Sequence, residues 1–191
     1  MLVGRWVPIA VLLTSICAGR AGAQEGGRVG VVMGYPASAG VIWHASDRIA
    51  FRPEVNVSFT AGESAASSGS VVTTSSAATV GVGVSGLFYV AGKDDLRMYI
   101  SPRFTYGRNS SSTESAPGGS RSENTSDNYS LAGSFGAQYA LGKRFAVFGE
   151  VGVVYAWQTS VFSSTAANVI GNESTGSSVS TRTAAGVIVY F

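Results

Sequence analysis

Of 191 residues only 13% are charged, while 45% are hydrophobic and 25 are Gly. Soluble domains carry ~25% charged residues, so the composition argues against an ordinary soluble enzyme surface. Val, Phe and Tyr recur at regular intervals, which argues against a disordered chain.

Residues 1–23 read as a secretory signal peptide. Arg5 forms a short positive region, Trp6 to Ala18 is free of charge, and Ala21-Gly22-Ala23 is a small-x-small cleavage site before Gln24. The apolar run falls short of the ~18 residues a spanning helix needs. Ile16 precedes Cys17, where a lipoprotein signal would have a small residue. Removing this segment takes away Arg5, Arg20 and Cys17 and no acid, leaving 11 basic against 11 acidic residues in 24–191. The mature domain is therefore formally neutral, with no basic patch for nucleic acid and no thiol for a disulfide or metal.

From residue 28 onward apolar and polar residues alternate with period two. Two short strands are expected at 28–35 and 40–43. A longer one follows at 49–59, with Phe51, Pro53, Val55, Val57 and Phe59 on one face and Arg52, Glu54 and Asn56 on the other. Further strands are expected at 80–90, at 96–106 (Met98, Ile100, Phe104 and Tyr106 against Arg97, Tyr99 and Arg103), at 129–141 and at 145–157. The last runs to the chain end, with Val187, Val189 and Phe191 opposing Arg182, Ile188 and Tyr190. The six later strands exceed the usual ~5–6 residues and match the ~9–11 that cross a membrane at a tilt.

Connections alternate between short turns at 44–48, 91–95 and 142–144 and long Ser/Thr/Gly/Asn stretches at 60–79, 107–128 and 159–178. Such stretches count against a compact soluble domain and suit an outer-membrane barrel, with short periplasmic turns and long extracellular loops. Aromatics near strand ends, such as Phe59, Tyr129, Tyr139, Phe145 and Trp157, fit interfacial girdles. Backbone groups in hydrocarbon must all pair, so a strand-built span must close. The expected fold is an all-β, eight-stranded antiparallel transmembrane up-and-down β-barrel over 24–191.

On these residues the chain resembles the small bacterial outer-membrane β-barrel proteins of the OmpA-barrel, OmpX and Ail type, over 28–191. The resemblance implies Sec-dependent export to the outer membrane. It also implies that Val187, Val189 and Phe191 are an assembly signal read by the barrel-assembly machinery. Tyr190 departs from the family pattern, which more often has an aromatic two residues before the end.

Alternation phase puts Arg52, Glu54, Arg97, Arg103, Glu150 and Arg182 on the lumen side, since lipid-facing charge near the midplane would cost ~2–4 kcal/mol each. These six are the candidate site, a lumenal ion-pair network. His44, the single His, is expected in a periplasmic turn beside Asp47, away from any nucleophile. No catalytic, cofactor or metal site is expected. Two functions stay open: a monomeric, non-enzymatic envelope or surface-contact protein displaying three polar loops to an unknown ligand, or a narrow pore or small-solute transporter gated by the Arg/Glu network.

Overall fold

The computed structural model describes residues 27–35, 38–65, 72–116, 119–165 and 171–191. The signal segment, including Ala23 and Gln24, lies outside the described residues.

Eight strands run β1 Val29–Tyr35, β2 Ser38–His44, β3 Ile49–Ala65, β4 Val72–Lys93, β5 Leu96–Ala116, β6 Ser120–Ala140, β7 Phe145–Ser164 and β8 Asn172–Tyr190. Each pairs antiparallel with its neighbours in sequence, and β1 closes the ring on β8. The alternation phase read from the sequence holds in the six longer strands. Odd-numbered residues of β7, such as Val151, Val153 and Tyr155, face outward and are exposed, while Ala146, Phe148 and Glu150 are buried inside.

The exterior carries an apolar belt. On β6 it runs from Tyr139 to Tyr129, ten residue steps, or about 25 Å of height at the ~3.4 Å rise and ~40° tilt of membrane strands. Its upper border is an aromatic ladder. Tyr106, Tyr129 and Trp157 occupy register-matched positions on β5, β6 and β7 with ring centroids 5.0 and 5.8 Å apart. Just above it the Tyr106 hydroxyl donates to Asp127 at 2.7 Å.

The polar stretches 60–79, 107–128 and 159–178 differ from the expected open loops: most of their residues are paired strand. Registers continue to Ala65↔Val72, to Ser115↔Ser120 and to Phe162↔Asn172. Hydroxyl pairs across strands accompany the ladders, among them Ser76 with Ser112 at 2.9 Å, Ser126 with Ser160 at 3.0 Å and Asn109 donating to Thr79 at 2.8 Å. Above the lipid both faces are wet, so the ladder continues without the apolar alternation that reveals it lower down.

The first hairpin is different. β1 and β2 have seven residues each and rise only about 16 Å by the same arithmetic. β1 pairs with β8 from Tyr190 up to Ala185, and β2 pairs with β3 up to Val55. Above these points the facing edges of β3 and β8 have no ladder partner among the described residues. The ring is eight-stranded below and a six-stranded open sheet above, with a notch between β3 and β8.

Candidate functional site

The lumen is filled in two layers. Near the short turns lies an apolar and aromatic layer of Val32, Ile42, Ala50, Leu87, Tyr99, Phe148, Ile188 and Tyr190, all at most 8% exposed. A polar relay runs through it. The Tyr89 hydroxyl donates to Gln138 Oε1 at 2.9 Å, Gln138 Nε2 donates to the Tyr190 hydroxyl at 2.8 Å, and His44 Nε2 meets that hydroxyl at 3.0 Å. His44 is therefore not a turn residue: it ends β2, is 1% exposed, and stacks on Tyr89 at 5.6 Å. The turn begins one residue later, so the inward phase of β2 still governs His44.

Above this layer charges form one chain: Arg103–Glu54–Arg52–Glu150–Arg182. Arg103 Nη2 meets Glu54 Oε2 at 2.8 Å, and Arg52 Nε meets Glu54 Oε1 at 2.9 Å. Arg52 Nη2 meets Glu150 Oε1 at 2.6 Å, and Arg182 Nη1 meets Glu150 Oε2 at 2.7 Å. Neutral donors complete the shells: Tyr99 gives its hydroxyl to Glu150 Oε1 at 3.0 Å, and Ser85 gives its own to Glu54 Oε1 at 3.3 Å. Arg182 also donates to Ser134 Oγ at 3.2 Å. Arg52 lies on β3 and Glu150 on β7, four strands apart either way round the ring, so their contact spans the barrel's diameter.

Small residues at neighbouring inward positions make room for this chain. Gly136 is register-paired with Tyr99, and a Cβ there would sit 2.5 Å from the Tyr99 ring. The absent side chain lets the ring lie across β6 toward Glu150.

Arg97 is not part of the chain. It shares the inward phase of β5 but sits at the short-turn end, its guanidinium 3.9 Å from the Tyr89 ring centroid and donating to the Asp47 carbonyl. Arg28 makes the equivalent contact over Tyr190 at 3.8 Å and donates to the Lys143 carbonyl. The two arginines cap the aromatic layer from below.

Sequence reasoning does not find His44 and Arg28 as lumen-filling groups, whereas Tyr89 shares the face of Ser85 and Leu87 in the strand expected at 80–90. A signal for His44 exists, because it shares the even-numbered phase of Ile42. Above the ion chain a polar vestibule of about 650 Å³ opens, floored by Glu54 and Arg103 and walled by Asn56, Ser58, Asn109, Asn128 and Gln158. Val187, Val189 and Phe191 lie at the chain end beside β1 and β7, with Phe191 77% exposed and its N–H bonded to the Val29 carbonyl.

No protein-family model and no curated protein matches the chain. Among solved structures it is similar to CarO of Acinetobacter baumannii, at 11% identity and a TM-score of 0.45, over 87% of this chain and 98% of that one. It is also similar to a major outer membrane protein of Thermus thermophilus, at 12% identity and a TM-score of 0.57, over 86% and 98% of the two chains. With the closed eight-stranded ring, this second likeness gives the fold as the β-barrel of bacterial outer-membrane proteins.

Proposed function

We propose that this chain is a non-enzymatic integral protein of the bacterial outer membrane. In this reading a closed, non-conducting barrel anchors three paired polar hairpins at the cell surface for envelope integrity or surface contact. The observation that carries it is the Arg52–Glu150 contact across the barrel's diameter, inside a five-residue ion chain over a packed aromatic layer. A water path would have to break at least one pair whose members are buried, leaving an uncompensated charge at a cost of ~3–5 kcal/mol. The narrow-pore reading requires that rearrangement, and the bonded geometry favours the closed barrel over it.

The same proposal includes Sec export with cleavage between Ala23 and Gln24, and assembly through Val187, Val189 and Phe191 by the barrel machinery. The exterior supports residence in lipid, because its belt height equals the ~25 Å apolar band of outer-membrane barrels. The test is planar-bilayer recording of protein whose folding is verified by heat-shifted gel mobility. Folded protein should give a flat baseline, and discrete conductance steps would overturn the reading in favour of the pore.

A further inference from the structure

The notch above the first hairpin opens at the level of the apolar belt. β1 and β2 are each seven residues long, whereas the belt takes eleven residues of β6, and the outward side of β3 stays apolar past the rim of the notch at Val57 and Phe59, 53% and 74% exposed. Unpaired strand edges cannot face hydrocarbon, but they are tolerated where they line a polar cavity. A cavity is present: the vestibule is lined by Ser38 at the rim and by Asn56 and Ser58 on β3, which there pairs with β4 but lies beyond its ladder with β2.

Chemistry at its base is lopsided. Three arginines, Arg52, Arg103 and Arg182, share two carboxylates. Two of their buried N–H groups, at Arg52 Nη1 and Arg103 Nε, have no hydrogen-bond partner among the described residues. Arg52, Arg103 and Arg182, together with Glu54, also line a small cavity that the rim residues Tyr35 and Ser38 border. The walls above add amides, hydroxyls, valines and Arg108, and Glu54 is the one acid of the lining.

We propose that the notch is a lateral portal through which the vestibule takes a single-chain anionic amphiphile from the bilayer. Its acidic head lies over Arg103 at the vestibule floor, and its apolar tail leaves between β3 and β8 past Val57 and Val179. The positive excess selects the acidic head, and the side opening removes any need for the tail to enter a polar cavity. A volume of about 650 Å³ lies within the ~300–1,000 Å³ of small-molecule sites. This inference rests on the proposed residence of the belt in the outer membrane.

The experiment uses full-length mature protein refolded into phosphatidylcholine vesicles, with dodecanoic acid carrying a terminal diazirine as probe and the matching neutral alcohol as control. Crosslinked positions are read by peptide mass spectrometry. The alcohol should label belt residues such as Leu131 and Val151 all round the barrel. The acid should in addition favour Asn56 to Phe59 and Val179 to Thr183 by about tenfold, the factor that one charge-assisted hydrogen bond contributes to affinity.

Ser58→Trp, which fills the vestibule wall without touching the ion chain, should abolish the preference in protein that still shows the heat-shifted band. Arg103→Gln should weaken it. Equal acid and alcohol patterns, or a preference that survives Ser58→Trp, would overturn the portal. Absence of belt labelling by both probes would instead overturn the membrane reading beneath it.

Discussion

Glu150→Ala is the sharpest test of the ion chain. The carboxylate accepts from Arg52 at 2.6 Å, Arg182 at 2.7 Å and Tyr99 at 3.0 Å, so its loss strands three donors at once. The cluster passes from three arginines over two carboxylates to three over one. Among the described residues Arg52, 1% exposed, keeps one carboxylate partner, Glu54, and Arg182 keeps the Ser134 hydroxyl. Removing one member of a buried pair costs ~3–5 kcal/mol. With a urea dependence of ~2 kcal/mol per molar, the unfolding midpoint in lipid vesicles should fall by ~1.5–2.5 M. Glu114→Ala is the control. Glu114 lies on an exposed outward position of β5 opposite Arg121, and its loss should move stability by less than ~0.5 kcal/mol. Arg52→Met combined with Glu150→Leu removes both charges of the diametral pair, and should cost less than the sum of the single changes by ~0.5–3 kcal/mol. Equal midpoints for Glu150→Ala and Glu114→Ala would show that the chain carries no net energy.

Gly136→Ala should destabilise by ~1–3 kcal/mol, because the new methyl overpacks the Tyr99 ring; Gly133→Ala, facing open space on the same strand, should show no loss in the same urea titration. Deleting Phe191 should leave secretion intact and reduce folded protein in outer-membrane fractions, and normal levels of heat-shifted band would refute the assembly role. Replacing 107–128 by a tight turn between Tyr106 and Tyr129 should preserve the barrel, since every ladder below the aromatic border remains, while whole-cell binding to host or matrix surfaces is lost. Loss of the heat-shifted band in that variant would show that the hairpin belongs to the barrel's folding unit.

Alternation makes the fold legible because lipid outside and a packed lumen inside impose opposite demands on successive residues. It assigns faces, and with them the inward position of Arg52, Glu54, Arg103, Glu150 and Arg182. It does not assign height. Arg97 has the same phase as Arg103 but lies six residues nearer the turn, where it caps Tyr89. Nor does phase give register, so the meeting of Tyr99 with Gly136 on the next strand is not readable from either strand alone. At His44 the following Ala45-Ser46-Asp47 points to a turn, and this local turn chemistry masks a phase that β2 keeps for one more residue.

The polar stretches escape for a related reason. A strand is visible in sequence when its two faces meet different surroundings, and above the aromatic border they do not. Ser76 and Ser112, or Ser126 and Ser160, add side-chain bonds to a ladder already in register from below, so extending it costs little beyond the next residue's ordering. The notch has the same origin. β3 and β8 are carried upward by β4 and β7, their partners on the far side, while the first hairpin turns back near Tyr35 and Ser38. Each strand end is thus set by how far its own hairpin partner reaches, and one short hairpin among three long ones is sufficient to open the wall on one side. Above the ion chain, strands of the three long hairpins wall a cavity, and β3, whose edge is free beyond Val55, contributes Asn56 and Ser58 to it.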